Sequence, residues 1–466
     1  MSLDHLAPEL LFLILQQADS PLDLYHLISA SPACFRTFSK SPLLFLSFTI
    51  NNAFPGDNIR HALANIQAPS VDAPVDAFVD TFVDDETFQF LCRYFDPVIP
   101  EAPFDLPTEM TDLLKLFRLH NRLDYLINGF VERTMRELGQ SKPSSKGLVL
   151  PVSRSERTRL QRGFLHFGLY CRIFPGHETD PSGPDSVDTF PPNYPTHRQF
   201  SQFLSMLTPW EIEEMCCVEQ YFSSLTGGFI DELEEELINA VKAAPGVVLP
   251  SSAGERSVQE RSNQAGLLAF KDLDQTDLLL FSSAGRHASP EYISYMVSTG
   301  LDFMYDLIKT NKHKRTELIR SHHPVTRSFL SQALGYASRQ AYRHGRDSSA
   351  ARSEAVDDDD PLRSNLGYRL FRKTPNEGDY PTIDNSGNKY SPLRQLGYVF
   401  WDAGRIQSPE VSEKLSAAKN MTLAEIRERF DRRTRESAEY RLRGTQLPPE
   451  QMERLEREFG STLLGG

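Results

Sequence analysis

The chain has 466 residues, enough for about three domains, and its 39% hydrophobic and 24% charged residues are ordinary for a globular protein. The formal net charge of -13 disfavours a general surface for nucleic acid or anionic membranes, because phosphate binding needs a positive field. No apolar run approaches the ~20 residues that cross a bilayer. The five cysteines form no CxxC pair, which suits a reducing compartment, the cytoplasm or nucleus. We therefore expect protein partners, with no nucleic acid and no membrane.

The first predicted elements are two short apolar helices within Leu6–Phe35, joined by a turn at Ser20 and Pro21. The continuous apolar run extends only over Leu10–Leu15 and follows acidic residues rather than positive charge, which argues against a secretory leader. Helices of about 10 residues are marginally stable alone. The segment is therefore expected to pack, either on the chain's own helices or on a partner.

Further helices are predicted along the central part of the chain. Thr208, Pro209 and Glu211 are typical of a helix start, and Gly227 is expected to end that helix before another begins at Phe229. Apolar residues at three- and four-residue spacing predict two buried stripes. The stripes are Met215, Val218, Phe222 and Leu225 in this helix, and Leu160, Phe164, Phe167, Cys171 and Phe174 in an earlier one. No alternation of strands and helices occurs, so the fold is predicted to be mainly α-helical.

The chain is divided by composition into five parts. They are a helical module at 1–48, a central all-α domain at 49–340, an acidic flexible linker at 341–360, a helical continuation with an aromatic core segment at 361–420, and charged C-terminal helices at 421–466. The run Asp357–Asp360 marks the linker, because four like charges repel one another when packed. In the C-terminal helices the acidic residues nearly cancel the arginines, which disfavours nucleic-acid binding.

No motif of a hydrolase, zinc protease, P-loop, dinucleotide-binding or EF-hand protein occurs, so we expect no enzyme, no cofactor and no metal. The neighbours Cys216 and Cys217 are expected to be free, with one facing the core and the other near its edge. A basic island runs from Lys309 to His323, and a phosphate or metal site there is the alternative to a plain solvated surface. Trp401 is either a core anchor or a binding residue on the substrate side.

The segment from Leu6 onwards resembles the N-terminal half of an F-box, the helical module with which one class of ubiquitin-ligase subunits docks onto the Skp adaptor of cullin-RING complexes. The matching residues are Leu6, Pro8, Glu9, Leu10, Leu11, Ile14 and Leu15, followed by Pro21, Leu22, Leu24, Leu27, Ile28 and Phe35. Ala7 stands where the family most often has proline, and Pro32 follows Ser31 where a basic residue is usual. This variant is similar to F-box-like proteins of filamentous fungi, whose large helical regions also resemble segments 159–174, 207–222 and 396–406.

The resemblance implies that the matching residues bind the Skp adaptor and that the helical body selects a protein substrate for ubiquitination. Such a receptor performs no covalent step and acts by raising the effective concentration of its substrate near the ligase. The alternative is a helical scaffold in which the F-box-like segment is only core packing. A third interpretation is an enzyme in the helical body whose motif is not recognised.

Overall fold

The structure is a computed structural model that describes residues 3–69, 85–95, 106–139, 151–174, 196–243, 290–320, 330, 333–334, 365–371, 392–422 and 425. Among these residues 83% are helical and none forms a strand, which confirms the predicted mainly α-helical fold. The predicted linker at 341–360, the histidines His322 and His323, and almost all of the C-terminal helices at 421–466 lie outside the described residues.

The first five helices are short and follow one another closely. They are α1 (Pro8–Gln16), α2 (Pro21–Ala30), α3 (Pro32–Lys40), α4 (Pro42–Ala53) and α5 (Asn58–Gln67). Each of the first four has proline in its first turn, where no backbone donor is lost. Ser20 and Ser31 accept a hydrogen bond from the backbone N–H three residues on and so cap α2 and α3. The segment Leu6–Phe35 therefore contains two helices and the start of a third, because Ser31 and Pro32 begin a new helix.

The remaining helices form the body of the molecule. They are α6 (Asp85–Phe95), α7 (Met110–Glu137), α8 (Arg154–Ile173), α9 (Thr196–Gln202), α10 (Pro209–Ala243), α11 (Pro290–Ser298), α12 (Leu301–Lys309), α13 (Lys312–Arg320), α14 (Leu366–Phe371), α15 (Pro392–Gln395), α16 (Ala403–Ile406) and α17 (Pro409–Asn420). Helix α8 is central and is buried on nearly all sides, with α5, α7 and α10 packed around it.

Helix α10 begins as predicted, because the backbone N–H and the hydroxyl of Thr208 both donate to Glu211 Oε2, at 2.9 and 2.8 Å. The predicted end at Gly227 is wrong, since the helix continues through Gly227 and Gly228 to Ala243. A glycine inside a helix costs only about 1 kcal/mol relative to alanine. Gly227 is buried and α10 packs on α8 and α11, so tertiary contacts outweigh the local stop signal.

The predicted stripes form much of the core. All the stripe residues of α8 and α10 are buried except Leu225, which is half-buried. Cys216 and Cys217 are both free and buried, so the prediction that one lies near the edge is wrong. Helix α10 packs on α8, on α15 and on the short 3-10 helix Tyr398–Phe400, which leaves neither thiol at the surface. Burial raises the pKa of both thiols, so both stay protonated.

The segment 392–406 is tied to α8 and α10 by buried ion pairs. Arg394 bonds both carboxylate oxygens of Glu213 at 2.7 and 2.9 Å, and Arg405 bonds both oxygens of Glu156 at 2.9 Å. Two-point pairs of this kind fix orientation as well as distance. The described parts of segments 49–340 and 361–420 therefore share one hydrophobic core.

Candidate partner-docking surface

The inner side of the N-terminal helices is built from their own residues. Helices α1 and α2 pack on α3 and α4. The centre of the Phe12 ring lies 5.0 Å from the centre of the Phe45 ring and 6.3 Å from that of the Phe48 ring. The side-chain amide of Asn52 in α4 donates to the carbonyls of Gln16 and Ala18 at 2.9 and 3.1 Å. These bonds satisfy carbonyls at the end of α1 and fix α1 against α4.

The corner between α2 and α3 is fixed by Asp4. Its carboxylate accepts hydrogen bonds from the Ser31 hydroxyl at 2.6 Å and from the Ala33 backbone N–H at 3.3 Å. The same hydroxyl accepts a bond from the Cys34 backbone N–H at 3.2 Å. Ser31 is thus the N-terminal cap of α3, and Pro32, which stands where the F-box pattern usually has a basic residue, is the first residue of that helix.

The outer side of the same helices is unusually apolar. Seven of the thirteen exposed large hydrophobic side chains in the described part of the chain lie between residues 10 and 44. They are Leu10, Leu13, Leu22, Tyr25, Phe35, Leu43 and Leu44. Apolar exposure of this kind is a common property of partner-binding surfaces, so these helices form the candidate docking surface.

Helix α1 carries the clearest part of this surface. Leu6, Leu10, Leu13, Ile14 and Gln17 line a shallow open groove of about 420 Å³. Leu10, Leu13 and Ile14 lie at three- and four-residue spacing on the side of α1 away from Leu11 and Leu15, while Leu6 precedes the helix and Gln17 is its C-terminal cap. Helix α1 is therefore apolar on both sides, a pattern typical of a helix that is fully covered.

The structure separates the predicted adaptor-binding residues into three groups. Pro8, Glu9, Leu10, Leu22 and Phe35 are exposed; Leu6, Ile14, Pro21, Leu27 and Ile28 are half-buried; Leu11, Leu15 and Leu24 are buried. Leu11, Leu15 and Leu24 pack in the chain's own core, beneath the exposed residues of the surface. The residues that sequence reasoning missed are Leu13, Tyr25, Leu43 and Leu44. Leu13 and Tyr25 each lie three residues after a predicted residue, so helical spacing was the available signal.

The N-terminal helices are joined firmly to the body. The ring of Phe54, after α4, meets that of His120 edge-on at 5.4 Å. The Asn58 side chain donates to the Thr158 carbonyl, and the Gln161 side chain donates to the Ala53 carbonyl, both at 2.9 Å. The predicted boundary at residue 48 lies within α4. The apolar surface is thus held in a fixed orientation relative to α7 and α8.

Trp401 lies in the core and not at a surface. It is 2% exposed, and its indole N–H donates to the Leu396 carbonyl at 2.8 Å. The Arg405 guanidinium lies 5.4 Å from the centre of its ring. Of the two interpretations from the sequence, the structure supports the core anchor.

The rings of the half-buried His61 and the buried His166 meet edge-on in the body, with ring centres 4.4 Å apart. His61 Nδ1 and the Tyr94 hydroxyl are hydrogen-bonded at 2.8 Å. Burial lowers the pKa of His61 well below its usual value and that of His166 to about 3. Both imidazoles are therefore neutral at neutral pH. The described residues contain no group of three or more histidine, cysteine, aspartate or glutamate side chains placed to hold a metal ion.

Comparisons with protein-family models, with curated proteins and with solved structures find no match for this chain. Among the described residues, no helix combines the length and apolar character needed to cross a membrane.

Proposed function

We propose that the chain is an F-box-like substrate receptor of a cullin-RING ubiquitin ligase, in which the surface of α1 and α2 docks on the Skp adaptor and the helical body binds a protein substrate. The receptor is non-enzymatic and acts in the cytoplasm or nucleus. The proposal is supported by the resemblance of Leu6–Phe35 to an F-box. The observation that carries it is the uncovered apolar side of α1, formed by Leu10 and Leu13.

The apolar side chains can supply the docking energy. Burying a leucine side chain contributes about 1.5–3 kcal/mol, so covering Leu10, Leu13 and Leu22 is worth several kcal/mol before the costs of association. Helix-in-groove complexes use apolar anchors at this spacing. The buried Leu11 and Leu15 hold α1 in place, so their substitution would disturb folding and docking together.

Co-purification with a Skp adaptor tests the proposal. The full chain is expected to retain the adaptor, and the Leu10→Asp, Leu13→Asp double variant is expected to lose it. The matched control is the double variant Leu114→Asp, Leu370→Asp, which changes two exposed leucines of the body. The control is expected to retain the adaptor as the unchanged chain does.

Failure of the unchanged chain to bind the adaptor would overturn the receptor proposal and favour the helical scaffold. Equal binding by both double variants would place the interface elsewhere. All four leucines are exposed and contribute little to the core, so each variant is expected to fold. Circular dichroism of each variant verifies this and so separates lost docking from lost folding.

A further inference from the structure

A cluster of cationic and aromatic side chains lies where α7, α8 and α12 meet, on helices other than those of the docking surface. Arg122 of α7 and Arg172 of α8 both donate to the carboxylate of Asp302 in α12. Both arginine side chains are solvent-accessible, at 35% and 46%. Two guanidinium groups on one carboxylate leave a net positive charge at the surface.

Tyr305, one helical turn further along α12, contacts two of the neighbouring cations through its ring. The Arg122 guanidinium lies 5.8 Å from the centre of the Tyr305 ring, and the Lys309 ammonium lies 4.8 Å from it and donates to the Tyr305 hydroxyl. The exposed ring of Tyr125 meets Tyr305 edge-on at 5.3 Å. Cations over aromatic faces keep a defined position and need little ordering when a ligand arrives.

The positive surface continues along α13. Lys309, Lys312 and Lys314 are exposed, and they belong to the basic island noted in the sequence. Arg315 serves the fold instead, because it donates to the carbonyls of Leu307 and Thr310 at the end of α12. Among the described residues of the island, these three lysines face solvent together with His313, which pairs with Glu317.

We propose that this patch, formed by Arg122, Tyr125, Arg172, Tyr305 and Lys309, binds an acidic segment of a partner protein. The cations pair with its carboxylates, and Tyr125 packs against an apolar side chain between them. Arginine and tyrosine are the residue types that most often dominate protein interfaces. Asp302 pairs with both arginines and Asp306 lies beside Lys309, so carboxylates interrupt the positive charge and the patch is no continuous basic track. Separate cations of this kind suit the spaced carboxylates of a peptide better than the unbroken phosphate backbone of a nucleic acid.

The net charge of -13 makes this patch distinctive, because the chain as a whole repels an acidic ligand. An acidic ligand is therefore attracted only near the cations of α12 and its neighbouring helices, and not by the charge of the whole chain. Identification of the acidic segment as part of a ubiquitination substrate rests on the proposed receptor function. Peptide binding by the patch does not depend on the receptor function. The peptide can therefore bind even if the Skp adaptor does not, and the adaptor can bind even if the peptide does not.

Fluorescence anisotropy with a labelled glutamate-rich peptide that contains one central leucine tests the patch on the full chain. Saturable binding that weakens with added salt is expected, since exposed charges are screened. The Arg172→Glu, Lys309→Glu double variant is expected to bind about tenfold more weakly or worse. The control double variant Arg136→Glu, Arg369→Glu changes the net charge equally at exposed positions outside the patch and is expected to bind nearly as the unchanged chain does.

The neutral double variant Arg172→Gln, Lys309→Gln gives the same test with a milder change, and intermediate binding is expected. Circular dichroism verifies that each variant is folded. No binding by the unchanged chain at low salt would overturn the proposal, as would equal weakening by the patch and control variants. Tighter binding of a single-stranded RNA of matched length would also overturn it, in favour of a nucleic-acid surface.

Discussion

Arg405 and Glu156 form a two-point ion pair in which each side chain is only 2% exposed. Glu156 also accepts the Ser153 backbone N–H at 3.0 Å as part of the capping box of α8. One carboxylate thus closes the start of the central helix and holds the segment 392–406 on the body.

Removal of Arg405 is expected to destabilise the fold strongly. Arg405→Ala leaves the Glu156 carboxylate buried without its partner, and breaking a buried pair costs about 3–5 kcal/mol. The free energy of unfolding from urea titration measures the loss. The control Arg136→Ala breaks an exposed pair with Glu132 and is expected to cost at most about 1 kcal/mol. Equal losses in the two variants would contradict this expectation, because the buried pair would then stabilise the fold no more than the exposed pair does.

Acid is expected to destabilise the protein through three histidines whose pKa is lowered in the folded chain. Burial lowers the pKa of His61, His120 and His166, so the unfolded chain binds protons that the folded chain does not. Stability is therefore complete above the unfolded pKa of about 6.5 and falls below it, by up to about 1.4 kcal/mol per pH unit for each histidine. For His166 the loss continues down to its folded pKa of about 3.

Urea titrations at a series of pH values from neutral to mildly acidic measure this dependence. The variant His166→Phe removes one of the three groups, so its stability is expected to decline less steeply with acid than that of the unchanged chain. Parallel pH profiles for the two proteins would contradict the assignment of His166.

Gly367 is expected to tolerate no side chain. A Cβ atom there would lie 2.1 Å from the Tyr398 carbonyl oxygen, which belongs to the backbone and cannot swing away. Gly367→Ala should cost about 1–3 kcal/mol in the free energy of unfolding. Gly228→Ala is the matched control, since nothing lies within 4 Å of its Cβ position inside α10. The control should gain about 0.5–1 kcal/mol through helix propensity, and a loss there would contradict the described packing.

The sequence predicted the helical class and the buried stripes because helical spacing is a local property. It did not predict the continuation of α10 through Gly227, because packing on α8 and α11 decides that. Nor did it predict the pairs of Arg394 and Arg405 with glutamates far away in the chain. Long-range partners leave no periodic signal.

The apolar residues of the docking surface were predicted in part. Their type and spacing were visible, but which side of α1 faces solvent depends on α3 and α4, which cover Leu11 and Leu15 and leave Leu10 and Leu13 exposed. Residues on α4, such as Leu43, lie beyond the segment that resembles an F-box.

The most direct test of the docking surface is hydrogen exchange of the full chain, measured by mass spectrometry with and without a Skp adaptor. Docking through the exposed leucines is expected to slow amide exchange in α1 and α2, residues 8–30, and to leave α7 and α12 unchanged. Unchanged exchange in α1 and α2 at saturating adaptor, or protection confined to the helices of the body, would contradict adaptor docking at this surface.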